Sequence, residues 1–149
     1  MKINAAARSR ARHYAMQALY QWEMTGNNLD SIESEYHADN DMSKVDVEYF
    51  HMLVSGAAKV KSELDQGYLP YLKNMGLDEL DPVTKAILRM SSFEFKDRID
   101  VPYRVVINEA VNLAKKFGAA DSHKFVNGVL DKLASDYRKT EINQPSPAK

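Results

Sequence analysis

Apolar side chains recur along this chain at steps of three and four residues, the spacing that lines one face of a helix rather than one side of a strand. Ala11, Tyr14, Ala15, Ala18, Leu19 and Trp22 set the rhythm and predict an amphipathic helix over about 5–25, which Gly26 and Asn27 end. Asn28 or Asp30 then caps a short second helix through Ile32 and Tyr36, with Glu33 placed to close a capping box on Asp30. His37 to Ser43 is polar and reads as a loop. Val45, Tyr49, Leu53, Ala57 and Val60 carry a third helix to about Leu64, and Gly56 inside it points to a neighbour packed close.

Gly67 and Pro70 bend the continuation of that helix, and Asn74 to Asp81 reads as a linker. Asp81-Pro82 is a helix start, because proline at the first helical position gives up no needed hydrogen bond. Val83, Ala86, Ile87 and Met90 form the buried stripe behind it. Beyond a loop through Asp100 and Pro102, the positions Val106, Ile107, Ala110, Val111, Ala114 and Phe117 predict a helix that stops at Gly118 in a left-handed cap. Asp121 or Ser122 caps the last helix, whose core side is Val126, Val129, Leu130 and Leu133. The tail from Thr140, with two prolines in QPSPAK, has too little apolar surface to order itself. No stretch alternates with period two and no internal repeat is visible, so the pattern predicts an all-α fold of about seven helices.

A chain of 149 residues fits one domain, or two small halves sharing a core, and buries roughly 68–70% of its unfolded surface. Cysteine is absent, which excludes disulfide frameworks, cysteine zinc sites and thiol catalysis, and fits a reducing compartment. The longest apolar run falls far short of the ~18 residues of a membrane span, and no apolar signal region succeeds the first charges. A cytoplasmic protein with no membrane role is expected.

Net charge is −1, but its distribution is uneven. Residues 1–22 carry Lys2, Arg8, Arg10 and Arg12 with no acid, whereas 27–66 hold nine acids against three lysines. From 101 to 139 the balance turns basic again, with seven cations against four acids. A polyanion would feel these two basic zones locally.

The arginines of ARSRAR stand at a helix start, where positive charge opposes the macrodipole by ~0.3–1 kcal/mol each. Either the end is frayed and solvated, or it is an arm that meets phosphates. Arg10, His13, Gln17 and Tyr20 share one helical face, combining charge, hydrogen bonding and a ring as single-stranded RNA binding requires. Tyr20 taken singly also fits a core edge. In ADSHKFVNGV, Asp121 and Ser122 lie at a helix start, with Lys124 and Phe125 in the first turn. Phe125 fits either a plug in the bundle or a stacking platform.

Catalysis has little support. The four histidines show no paired metal spacing, and neither a P-loop nor a G-x-S-x-G elbow is present, so no cofactor or metal is expected. Two other classes compete with RNA binding. One is a helix-turn-helix DNA reader around Ala114 and Gly118, whose recognition helix would begin with Asp121 and carry few cations. The other is a purely structural helical interaction protein.

Three blocks, RARHYAMQALYQWE, DPVTKAILRMSSFEF and VPYRVVINEAVNLAKKFGAADSHKFVNGVLDKL, together resemble the NusB family over nearly the whole chain. The last block is the most specific, joining a P-x-x-V-x-I-N-E-A segment, a K-x-F-G turn and an F-V-N-G-V-L-D run. The resemblance implies one domain over 1–139 made of two helical subdomains, about 1–64 and 65–139, ahead of the tail at 140–149 that composition marks as disordered. It also implies a transcription antitermination factor that pairs with NusE, a small-subunit ribosomal protein. The pair would grip single-stranded boxA RNA and keep RNA polymerase processive in an antitermination complex. Carried onto this chain, the RNA-facing residues are Arg8, Arg10, Arg12, Gln17, Tyr20, Asp121, Ser122, Lys124 and Phe125. The NusE-facing residues are Asp78, Glu79, Asp81 and Thr84, where Thr84 replaces a glutamate common in the family. The fold also occurs as an appended domain of ribosomal RNA methyltransferases, but no Gly-rich cofactor loop is present here.

Overall fold

Asn4 starts the first helix: its side-chain oxygen accepts the Ala7 N–H at 2.9 Å, pairing one of the four donors that a helix start leaves free. Helix α1 runs Ala5–Thr25 and closes at Gly26, whose N–H donates to the Trp22 carbonyl at 2.9 Å and whose φ of 66° turns the chain out of the helix. The computed structural model describes residues 4–144. Among them are seven further α-helices and no strand: α2 (Leu29–Asp39), α3 (Val47–Lys59), α4 (Lys61–Tyr68), α5 (Pro82–Asp97), α6 (Tyr103–Phe117), α7 (Ser122–Tyr137) and α8 (Lys139–Asn143). Short 3-10 turns lie at Leu69–Tyr71 and Leu77–Glu79. None of these helices is long and apolar enough to cross a membrane.

Several boundaries differ from the sequence reading. Asn28, not Asp30, caps α2, and Glu33 reaches the His51 ring at 2.8 Å instead of closing a capping box. The expected loop at 37–43 begins late, because α2 continues through Asp39. The long third helix is two, broken where Val60 takes φ −117°. Gly118 is extended, with φ −88° and ψ 172°, and the left-handed residue of that turn is Asp121 at φ 67°. What Gly118 supplies is room, since a Cβ there would sit 2.2 Å from Ser122 Oγ.

Helix α5 is the axis of the molecule. It packs against α1, α3, α4, α6 and α7. Every residue from Ala86 to Phe95 is buried. Gly56 lets α3 approach it closely, since a Cβ at that position would lie 2.2 Å from the Phe93 ring. A helix buried on all sides must find partners for its polar groups. Glu94 and Arg89 do so through arginine and carboxylate forks: Arg12 of α1 clasps Glu94, and Arg89 clasps Asp65 of α4 and reaches Glu23 of α1 at 2.7 Å.

Arg138 closes the end of α5. Its buried guanidinium donates to the carbonyls of Glu94, Phe95, Arg98 and Val101, and that of Phe95 is one of the acceptors the last helical turn leaves without a backbone partner. The tail expected to be disordered from Thr140 is helical to Asn143, and the physical reason is Glu141. Its carboxylate accepts from Arg138 Nη1 at 2.6 Å and from the Tyr103 N–H at 2.9 Å, while Ile142 packs on the core. Residues 145–149 of the expected tail lie outside the described residues.

Candidate nucleic-acid interface

Successive even positions on a helix point in widely different directions, so Arg8, Arg10 and Arg12 cannot serve one surface. Arg12 turns inward and is 4% exposed. Its Nε and Nη2 fork onto Glu94 at 2.8 and 2.9 Å, and Nη1 donates to Glu109 of α6 at 2.9 Å. Tyr49 of α3 donates its hydroxyl to the same Glu94 carboxylate. Burial alone would push the guanidinium down, but the hydrogen bonds and charge of Glu94 hold it above its ordinary value. Arg12 as a phosphate contact is therefore corrected: it is a strut joining α1, α5 and α6, and α3 joins it through Tyr49.

Arg8 is also occupied. It lies over the Tyr49 ring at 4.4 Å and faces Asp100 at 3.4 Å and Asp46 at 3.8 Å. These two acids, brought in from distant loops, offset the cation at the helix start that local sequence left uncompensated. Asp100 is in turn held at about 2, chiefly by its hydrogen bonds from Arg98. Arg10 alone of the three is exposed, donating to the Lys44 carbonyl at 3.2 Å.

Arg10, His13, Gln17 and Tyr20 line the open side of α1. Gln17 is tethered by its amide to the His13 carbonyl at 3.0 Å, and Tyr20 is 36% exposed. Gln17 and Tyr20, with Tyr36, Met24, Val83 and Phe117, border a groove of about 390 Å³. A second recess of about 340 Å³ adjoins it, lined by Ser9, Arg10, His13, Tyr14, Asp41 and Lys116. The join is the contact of His13 with the C-terminus of α6: its ring lies 5.2 Å from that of Phe117, and Lys116 Nζ stands 3.5 Å from Nδ1.

Lys116 and Phe117 are the residues that sequence reasoning missed. Both were visible, one as part of a basic zone and one as an apolar helical position, but only the fold aims them at α1. The turn between α6 and α7 carries the second predicted cluster. Asp121 makes no capping bond and instead pairs with Lys124 at 3.4 Å, both side chains being largely in solvent. Ser122 Oγ donates to the Ala114 carbonyl at 3.4 Å, and Phe125 is half-buried against the core. The structure thus links the α1 face to the α6–α7 turn through His13, Lys116 and Phe117.

The expected protein-partner residues lie at the entrance to α5. Asp78, Glu79 and Asp81 are exposed, with Glu79 accepting the Gly76 N–H at 3.0 Å. Thr84 is corrected: it is 4% exposed, and both its N–H and its hydroxyl are donated to Asp81, at 3.2 and 3.1 Å. It fixes the cap of α5 and presents nothing outward.

Helices packed around a buried central helix, with a cationic and aromatic strip along α1, define a helical binding module. Residues 9–135 match the model of the NusB family. The transcription antitermination protein NusB of Saccharophagus degradans is 67% identical over 142 residues, 95% of each chain. That of Teredinibacter turnerae is 68% identical over 143 residues, 96% of this chain and 97% of the relative. Among solved structures, T. maritima NusB superposes with a TM-score of 0.80 at 30% identity, covering 97% of this chain and all of that one. A structure of antitermination factors NusB and NusE in complex with dsRNA gives a TM-score of 0.72 at 28% identity, covering 90% of this chain and all of the other. The chain belongs to the NusB family.

Proposed function

We propose that this protein is a cytoplasmic transcription antitermination factor that pairs with NusE, binds boxA-type RNA along α1 and the α6–α7 turn, and keeps RNA polymerase processive during ribosomal RNA synthesis. It works by binding, with no chemistry of its own. The observation that carries this reading is the adjoining groove and recess: rings of Tyr20 and Phe117 beside the cations Arg10 and Lys116. Rings stack on any base face and cations attract any phosphate, the combination used for unpaired strands. The solved assembly of NusB and NusE in complex with dsRNA, a neighbour of this fold, supports RNA binding in company with NusE.

The acids Asp78, Glu79 and Asp81 would meet a basic surface of NusE, and Val83 places the start of α5 at the border of the groove, so NusE and RNA would lie side by side. The helix-turn-helix alternative fits less well. Helix α7 and its cap turn Asp121, Asp131 and Asp136 outward, the wrong charge for a phosphate-lined groove.

The test is a titration of labelled boxA RNA and a scrambled RNA of equal length, at one fixed salt concentration, with the protein, with NusE, and with both. The expected result is tighter binding of boxA by the pair than by either protein alone. Equal affinity for both RNAs, unchanged by NusE, would leave a bare helical scaffold as the better description.

A further inference from the structure

The recess formed by α1, the loop after α2 and the end of α6 has an arrangement that the stacking groove does not explain. We propose that it is a phosphate subsite: Arg10, Lys116 and a protonated His13 together hold one phosphodiester of the bound strand, and His13 takes up its proton when that phosphate arrives. The inference rests on the reading that this strip binds RNA.

His13 is wedged between two rings, Tyr14 edge-on at 5.1 Å and Phe117 at 5.2 Å, which fix its plane at the mouth of the recess. Lys116 Nζ stands 3.5 Å from Nδ1. An ammonium can only donate, so in this contact Nδ1 is the acceptor, the role that a neutral ring with its proton on Nε2 can fill. Partial burial, and then the charge of Lys116, both hold His13 below its ordinary value. The other charged groups facing the recess are Arg10 on the same helix and Asp41 in the loop after α2. Asp41 is exposed and its carboxylate accepts the Ser43 N–H at 3.0 Å. Cations therefore outnumber the one acid even with histidine neutral.

A phosphodiester entering between Arg10 and Lys116 reverses the balance felt by His13. Its negative charge screens Lys116 and favours the imidazolium, which then adds a third cation to the grip. By linkage, any group whose protonation is favoured by the ligand makes the ligand bind more tightly as pH falls through that group's range. In the free protein the sign is opposite. A histidine held down in the folded state disfavours folding below the unfolded value near 6.5, and the ligand relieves that penalty.

The experiment measures the affinity of a short single-stranded boxA-type RNA at about pH 6 and about pH 8, on either side of the ordinary histidine range. It uses the full chain with NusE at constant salt, in wild type, His13→Gln and His51→Gln. Wild type should bind several-fold to about tenfold more tightly at the lower pH, the effect of roughly a one-unit displacement of one histidine. His13→Gln should abolish the dependence while still binding RNA, and His51→Gln, at a histidine of α3 that lines neither the groove nor the recess, should keep it. A wild type that binds RNA equally at both values, or a His13→Gln variant that keeps the slope, overturns the subsite and leaves the RNA reading standing. No measurable RNA binding at either pH removes that reading, and the subsite with it.

Discussion

Arg12→Ala is expected to lower stability by about 3–5 kcal/mol, the cost of leaving a buried carboxylate without its partner. Glu94, 1% exposed at the centre of the molecule on α5, loses two of its donors and keeps the Tyr49 hydroxyl, which cannot neutralise it. Glu109 loses its link to α1 at the same time. Since a domain of this size is stable by only about 5–15 kcal/mol in total, the variant should unfold at a markedly lower urea midpoint. Arg12→Lys should recover little, because one ammonium cannot reproduce a fork onto Glu94 together with a bond to Glu109. Replacing Arg12 and Glu94 together by apolar residues of similar volume should recover much of the loss. A single alanine variant with wild-type stability would show that this network does not hold α1 to α5 and α6.

The largest effect on binding is expected at the rings. Tyr20→Ala should weaken RNA affinity by on the order of 1–3 kcal/mol through lost stacking, with the salt dependence unchanged. Phe117→Ala should do the same, with a small loss of stability besides, since its ring also packs against the core. Arg10→Ala should act differently, weakening boxA and scrambled RNA alike and lowering the slope against salt by about one phosphate contact. Affinity series at three or more salt concentrations separate the two classes. Identical, salt-independent losses for Tyr20→Ala and Arg10→Ala would mean that rings and cations do not divide the work in this way.

Much of the fold could be read from the order of residues, because helix starts and stops are written locally. Asn4, Asn28 and Asp81 cap with their own side chains, and Gly26 ends α1 in a left-handed conformation that glycine adopts without strain. Gly56 signals a close neighbour, and the structure supplies it as the Phe93 ring of α5. What could not be read depends on contacts distant in the chain. Whether Arg10 or Arg12 faces water is decided by a glutamate 82 positions from Arg12, and the order of residues 140–143 by a carboxylate that Arg138 and Tyr103 require. The placement of Arg8 between Asp46 and Asp100 is another such case. The Asp81 cap was legible, since an N-cap carboxylate takes the N–H of a residue three positions on, but the inward turn of the Thr84 hydroxyl onto it was not. The site was half legible for the same reason: the face of α1 is set by helical spacing, whereas Lys116 and Phe117 join it only because α6 ends beside His13.

The most direct test of the central claim is to monitor backbone amide shifts of the isotope-labelled protein as boxA RNA is added. The perturbed amides are predicted to lie in one band: Arg10, His13, Gln17 and Tyr20 on α1, Lys116 and Phe117 at the end of α6, and Asp121 to Phe125 beyond the turn. Shifts confined to other surfaces, such as the Arg104 and Asn127 side of α6 and α7, would contradict it.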